Sequence, residues 1–193
     1  PKSIGPLVTA LKDDHADVRW AAACALGQLG DQRASPSLIS ARDDMDESVR
    51  LAAVTALGLL SQSDAVEGMA QGLRDAVPSV RIAALRAVNG INTPKVIAAV
   101  TQALHDTDAG VRIEAIKALT ATAGAHAVTP LFTLMHDESA KIRQETAFAL
   151  GMIGDARAIK VLQAGVQDTV PAVRQACIYA LGWIQDARTL PTL

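Results

Sequence analysis

The stretch Val18-Arg19-Trp20-Ala21-Ala22-Ala23-Cys24-Ala25-Leu26-Gly27-Gln28-Leu29-Gly30-Asp31 decides the fold, because it returns. Its Val-Arg step recurs as Val49-Arg50, Val80-Arg81, Val111-Arg112, Ile142-Arg143 and Val173-Arg174, each pair 31 residues after the last. Ahead of that step the same register holds Asp13, Asp44, Asp75, Asp106, Asp137 and Asp168. Behind it stand Ala25, Ala56, Ala87, Ala118, Ala149 and Ala180, followed by Leu26, Leu57, Val88, Leu119, Leu150 and Leu181. Four columns kept in step through six copies without an insertion are internal repetition.

Within one copy, Val18, Ala22, Ala25, Leu26 and Leu29 fall at i, i+4, i+7, i+8 and i+11, the one-sided stripe of an amphipathic helix over about residues 16–29. Asp46, Asp108 and Ser139 stand where a side-chain oxygen caps the first-turn amides. Where Val77 or Val170 takes that place, Pro78 or Pro171 follows at the first helical position. Gly30-Asp31 and Gly154-Asp155 mark helix ends. A shorter helix precedes each of these, with apolar pairs four apart at Leu7 and Leu11, Val100 and Leu104, Leu131 and Met135, and Leu162 and Val166. Two short antiparallel helices cannot bury their apolar faces alone, so neighbouring copies must stack. The expected fold is all-α: a right-handed α-solenoid of six two-helix repeats. They form a single array over 1–193, with repeats at about 1–30, 31–61, 62–92, 93–123, 124–154 and 155–185. Residues 186–193 match the start of a seventh unit, so the array is expected to continue in a longer parent, as the beginning at Pro1 rather than Met also indicates.

Composition agrees. Half of the 193 residues are hydrophobic but only 3 % are aromatic, which suits closely stacked Ala- and Leu-rich helices. Eighteen basic against twenty acidic side chains leave a net charge of -2 with no long block of either sign, which steers the chain toward neither nucleic acid nor an anionic membrane. No apolar run approaches the roughly 18–20 residues that a membrane helix needs. Cys24 and Cys177, in the first and last repeats, are too far apart for one disulfide and fit a reducing, cytoplasmic setting.

The stretches from Val18 to Asp31 and from Ile142 to Asp155-Ala156-Arg157-Ala158 resemble the short HEAT-like repeats named for phycobilisome lyases, and the resemblance covers the whole chain. Asn89-Gly90 and Thr120-Ala121 depart from it by replacing Gly followed by Gln or a hydrophobe. Ala123-Gly124 replaces Gly-Asp, so the middle turns are expected to be looser. The resemblance implies that the second helix of each repeat lines the concave surface.

At roughly 100° per residue, positions equivalent to 20, 23, 24 and 27 are expected to face away from the core stripe. Stacking then lines up Trp20, Leu51, Ile82, Ile113, Gln144 and Gln175 as one ladder, and Cys24, Thr55, Arg86, Lys117, Phe148 and Tyr179 as a second; Trp183 lies on the same outer half. The candidate partner-binding residues are therefore Trp20, Leu51, Ile82, Arg86, Ile113, Lys117, Gln144, Phe148, Gln175, Tyr179 and Trp183. Aromatic anchors and branched apolar side chains turned from the core favour a protein partner. The plainer alternative is that Leu51, Ile82 and Ile113 only thicken the core between adjacent helices. The Asp and Arg columns read as a structural ladder: each guanidinium can reach a carboxylate in its own or the adjoining repeat, while the Asp accepts turn amides.

Catalytic and metal chemistry find no residues to work with. His15, His105, His126 and His136 show no i, i+4 pairing and no nearby Cys. HEAT-like hydroxylases that bind two irons carry His-Glu pairs just after the Val-Arg step, where this chain has Trp20-Ala21, Leu51-Ala52, Ile82-Ala83, Ile113-Glu114, Gln144-Glu145 and Gln175-Ala176. Asp43, Asp44, Asp46 and Glu47 lack the alternation and Gly of a calcium loop. No phosphate-binding Gly-rich loop and no nucleophile elbow occurs. A non-catalytic interaction scaffold is the expected function, with no cofactor. The rival reading, a bilin lyase subunit handling a tetrapyrrole, rests on the resemblance alone. A nucleic-acid groove would need more than the charges of Arg86 and Lys117.

Overall fold

The computed structural model describes residues 4–60 and 63–184; the expected seventh repeat over 186–193 lies outside them. Among the described residues there are twelve α-helices and no strand. The chain divides into two compact units, Pro1–Ile91 and Asn92–Leu193. In the first unit α1 (Gly5–Ala10), α3 (Ser35–Ala41) and α5 (Ser63–Gly72) each precede a partner: α2 (Ala16–Leu29), α4 (Glu47–Leu60) and α6 (Pro78–Ala87). The second unit repeats the plan with α7 (Pro94–Ala103) and α8 (Ala109–Ala123), then α9 (Val128–Leu131) and α10 (Ala140–Ile153), then α11 (Ile159–Gly165) and α12 (Pro171–Trp183). Each pair packs its first helix on its second, and within each unit the second helices lie side by side.

The helix starts follow local chemistry. Asp108 Oδ1 accepts from the amide of Val111 at 3.0 Å, and Asp46 Oδ1 from that of Ser48 at 2.8 Å. Val77 and Val170 occupy cap positions ahead of Pro78 and Pro171. Ser139 departs from expectation: its side chain makes no cap bond. At the helix ends Gly30 and Gly154 adopt φ of 65° and 71°, the left-handed conformation that closes a helix without a Cβ penalty. The shorter helices are less regular. In α9 only Val128–Leu131 is α-helical, flanked by 3-10 turns at Gly124–Ala127 and Phe132–His136. Pro130, lacking an N–H, cannot donate to the ladder there. Leu131 and Met135 are buried nonetheless.

The core stripe of the second helices is fully buried at Leu26, Leu57, Val88, Leu119 and Leu150, and at Val49, Val80, Val111, Ile142 and Val173. Burial of each such side chain stabilises by about 1.5–3 kcal/mol. The first copy is the exception: Val18 is 40 % and Leu29 42 % exposed, and among the described residues α2 packs against one other second helix, α4. A further correction concerns positions equivalent to 23 and 27. Ala23, Val54, Leu85, Ile116 and Ala147 are buried rather than outward, as are Gly27 and Gly151. These columns form the seam between successive second helices. A Cβ on Gly27 would stand 2.8 Å from that of Ala56, one on Gly58 2.8 Å from that of Ala87, and one on Gly151 2.7 Å from the Cα of Ala180. Glycine facing alanine is what lets these helices approach.

Within each unit the Asp and Arg columns bind one repeat to the next. Arg19 Nε and Nη2 donate to Asp44 at 2.7 and 2.8 Å, while Nη1 donates to the carbonyls of Asp13 and Asp14 in its own turn at 2.9 and 3.1 Å. Asp44 Oδ1 also accepts from the amide of Asp46 at 2.9 Å. Arg50 to Asp75 and Arg143 to Asp168 repeat the arrangement. One guanidinium thus ties two turns together, and each carboxylate joins a fork-like pair with little exposure. The Arg19 and Arg143 hydrogen bonds hold the Asp44 and Asp168 carboxyls below the usual range. At Asp75 burial pushes upward, and the Arg50 and Val77 hydrogen bonds outweigh it.

Candidate functional site

The outer face of the second helices carries the candidate residues. In the first unit α4 presents Leu51, Thr55 and Leu59, and α6 presents Ser79, Ile82, Ala83 and Arg86. The close Gly58–Ala87 approach brings the two helices together beneath them. The result is an open trough of about 660 Å³ with a mainly apolar lining. Thr55 turns its hydroxyl onto the Leu51 carbonyl at 2.8 Å, so its polar atom is satisfied within its own helix. Leu51 and Ile82 are half-buried and Arg86 is exposed. Trp20 on α2 is about half exposed.

In the second unit Ile113 and Gln144 are half-buried on α8 and α10, and Gln175 is exposed on α12. Lys117 is exposed, with Nζ 3.8 Å from Glu114 one turn back. Phe148 on α10 meets Trp183 on α12 with ring centroids 5.9 Å apart at 31°, within the range of favourable aromatic pairing. Gln175 Nε2 donates to the Tyr179 hydroxyl oxygen at 3.4 Å. The structure therefore joins Leu51 with Ile82 and Arg86, Phe148 with Trp183, and Gln175 with Tyr179.

Two residues of this face escaped the sequence reading. Leu59 is 61 % and Met152 67 % exposed, and both occupy the column of Trp183, one turn beyond Thr55, Phe148 and Tyr179. The signal was available: three large apolar side chains in one column, at the polar end of the helical wheel. Among the described residues no group of three or more His, Cys, Asp or Glu is placed to hold a metal ion. Cys24 and Cys177 are free thiols, and burial pushes the Cys177 thiol up to about 11, which keeps it protonated and unreactive. No described helix is long and apolar enough to cross a membrane.

The sequence profile of HEAT repeats matches residues 1–58, 35–120, 66–143 and 128–193. The chain belongs to the HEAT-repeat family. This HEAT-repeat chain has no match among curated proteins. Among solved structures it is similar to YibA of Escherichia coli, at 22 % identity and a TM-score of 0.70, covering 97 % of this chain and 72 % of that one. It is also similar to a designed armadillo repeat protein in complex with the peptide (KR)4, at 20 % identity and a TM-score of 0.67, covering 95 % and 100 %. A third similarity is to human deoxyhypusine hydroxylase in complex with glycerol, at 23 % identity and a TM-score of 0.50, covering 96 % and 85 %. At these identities the likeness is one of fold, an α-solenoid of HEAT and armadillo type.

Proposed function

We propose that the protein is a non-catalytic scaffold that binds a protein partner along the outer face of its second helices. The observation that carries this reading is the row of apolar side chains held out of the core on that face: Leu51, Leu59 and Ile82 around one trough, and Phe148, Met152, Tyr179 and Trp183 on α10 and α12. Exposing such groups costs water contact that a monomer has no reason to retain, and aromatic side chains are favoured anchors. The designed armadillo neighbour that holds a peptide supports the same use of the fold. Arg86 and Lys117 would act as rim charges that set orientation more than affinity.

The test is affinity capture of the tagged protein from its host, with the retained partner identified by mass spectrometry and then titrated against variants. Phe148→Ala, Tyr179→Ala and Leu59→Glu are each expected to weaken that complex about tenfold or more. A complex that none of the three disturbs sinks the proposal. A tetrapyrrole is the alternative ligand that the tilted Phe148–Trp183 pair could stack against. It predicts a shifted visible spectrum when phycocyanobilin is added, and an unchanged spectrum removes it.

A further inference from the structure

The column that closes the first helices is aliphatic in five repeats, at Leu11, Leu73, Leu104, Met135 and Val166, and in the second repeat it is Arg42. Leu11, Leu73, Leu104 and Met135 are buried, and Arg42 follows them inward: its side chain is only 12 % exposed. An arginine at such a place gives up apolar contact and brings a charge close to the core. A helix C-terminus favours a cation, yet α1, α7 and α11 end on Leu11, Leu104 and Val166 without one, so the end of α3 does not require it. The partner of Arg42 is the next residue, Asp43, which accepts from Nε and Nη2 at 3.0 and 2.6 Å and is itself 72 % exposed. A pair whose carboxylate stands in water contributes little, so it does not account for a guanidinium held inward.

Arg42 lines a cleft of about 360 Å³ with Arg50, Arg74, Asp43 and Asp75, where the turns of the second and third repeats meet. The cleft shares no residue with the apolar trough. Arg50 is committed to Asp75 and to the carbonyls of Asp44 and Met45. Among the described residues nothing accepts from Nη1 of Arg42 or from the guanidinium of Arg74, which is exposed. Three guanidiniums thus stand against two carboxylates. The equivalent positions of the other junctions within each unit hold no such excess: Lys12 and Arg19 stand with Asp43 and Asp44, Arg112 with Asp137 and Glu138, and Arg143 with Asp168.

We propose that this cleft binds a phosphoryl group, as free phosphate or as a phosphomonoester, between the guanidiniums of Arg42 and Arg74. A planar fork of donors matches two oxygens of a tetrahedral oxyanion, and a dianion answers two arginines at once. Asp43 is the group that gives way. Its exposed carboxylate rotates into water at little cost, and the phosphoryl oxygens take its place on Nε and Nη2 of Arg42. Arg50 stays on Asp75 and adds its charge without a bond. The buried stem of Arg42 fixes the position of its fork, while exposed Arg74 closes on the anion from the outside.

The test is titration of the protein with sodium phosphate at constant ionic strength, followed by amide NMR. The signals of Arg74, Asp75 and Ala76 are expected to move and to saturate below about 10 mM phosphate. Arg42→Leu installs the side chain that closes α1 and α7 and so preserves the fold; it and Arg74→Gln should each weaken binding about tenfold or more. Asp43→Asn should tighten it by about threefold, because the competing carboxylate is gone. Arg33→Gln, outside the cleft, should leave it unchanged. Phenyl phosphate that binds as well as inorganic phosphate supports a phosphomonoester as the ligand, and its exclusion supports the free ion. Absence of saturation in that range overturns the proposal. So does an affinity indifferent to Arg42→Leu and Arg74→Gln, or one that falls in Asp43→Asn.

Discussion

The seam between α10 and α12 and the seam between α8 and α10 belong to one unit and bury equivalent leucines, yet they are built differently. Across the first, Gly151 faces Ala180 so closely that a Cβ would stand 2.7 Å from its backbone. Across the second, Thr120 takes the glycine's place, its hydroxyl donating to the Ile116 carbonyl at 2.7 Å. The helices run together along less of their length there. The ion pairs follow the seams. Arg143 meets Asp168 bidentately at 2.7 and 2.9 Å, whereas Arg112 Nη2 reaches Asp137 at 3.3 Å, and Arg112 Nε, 3.0 Å away, is not aligned for a hydrogen bond. Gly124 beyond α8 takes φ 50° and ψ -128° in place of the left-handed closure seen at Gly154. Leu119 and Leu150 are equally buried on the two sides. The spacing of the stack is therefore set by the smallest side chains at the seam, not by the large ones in the core.

The strongest way to break this comparison is Gly151→Leu. The added side chain would meet the Ala180 backbone and the Trp183 ring, neither of which is the free end of a flexible chain. Overpacking ordinarily costs roughly 1–3 kcal/mol, and a backbone clash should put this substitution at about 4 kcal/mol by chemical denaturation. A cost under about 1 kcal/mol would mean that the helices separate freely and that the glycine does not set the seam.

The ladder should show the same order at smaller size. Arg143→Ala leaves Asp168 poorly exposed without its guanidinium, and is expected to cost about 3 kcal/mol. Arg112→Ala, whose pair is already misaligned, should cost about 2 kcal/mol. Arg157 bonds Asp155 two residues away on the surface, so Arg157→Ala should stay under about 0.5 kcal/mol. Equal melting shifts for all three would remove the ladder as a stabilising device.

How much of this was legible in the sequence follows from what a period can encode. The 31-residue register placed α2 at Ala16–Leu29 without error, because capping and core columns both mark its ends. It also brought Asp and Arg together, leaving open whether the pair lay within or between repeats. The structure uses both: carbonyls of the same turn and the carboxylate of the next. The burial of columns 23 and 27 was not legible, because a wheel drawn for one helix has one inside and one outside. A second helix in a stack has lateral neighbours as well, and their distance is fixed only when Gly27 is matched with Ala56 of the following repeat. Leu59 and Met152 went unread for the opposite reason: a single exposed apolar residue is unremarkable until three share a column.

Acid sharpens the comparison at the Arg143–Asp168 pair. The guanidinium lowers the folded-state pKa of Asp168, so its contribution to stability is fully present above the unfolded carboxyl value of about 3.9 and is lost as pH falls through the folded value. The stability of the wild type should therefore drop more steeply below about pH 4 than that of Arg143→Ala, the two curves converging at low pH. Parallel acid limbs would show that the pair is not what titrates.

The smallest effect isolates the seam itself, because two threonines in the molecule are alike except in what they face. Thr55 and Thr120 both sit inside second helices and both donate to the carbonyl four residues back, at 2.8 and 2.7 Å. Thr55 is exposed toward the trough, while Thr120 occupies the seam column. Replacing either with glycine loses the same local bond and the same helix propensity, a difference of about 0.4 kcal/mol. Thr55→Gly should show that cost. Thr120→Gly removes the side chain that holds α8 from α10, so closer approach should offset the loss and leave stability level or slightly raised. The sign of the difference between the two variants, measured in the same denaturation series, is the decisive quantity. If Thr120→Gly is as costly as Thr55→Gly, the spacing at α8 and α10 has another cause, which the irregular α9 beneath it would then have to supply.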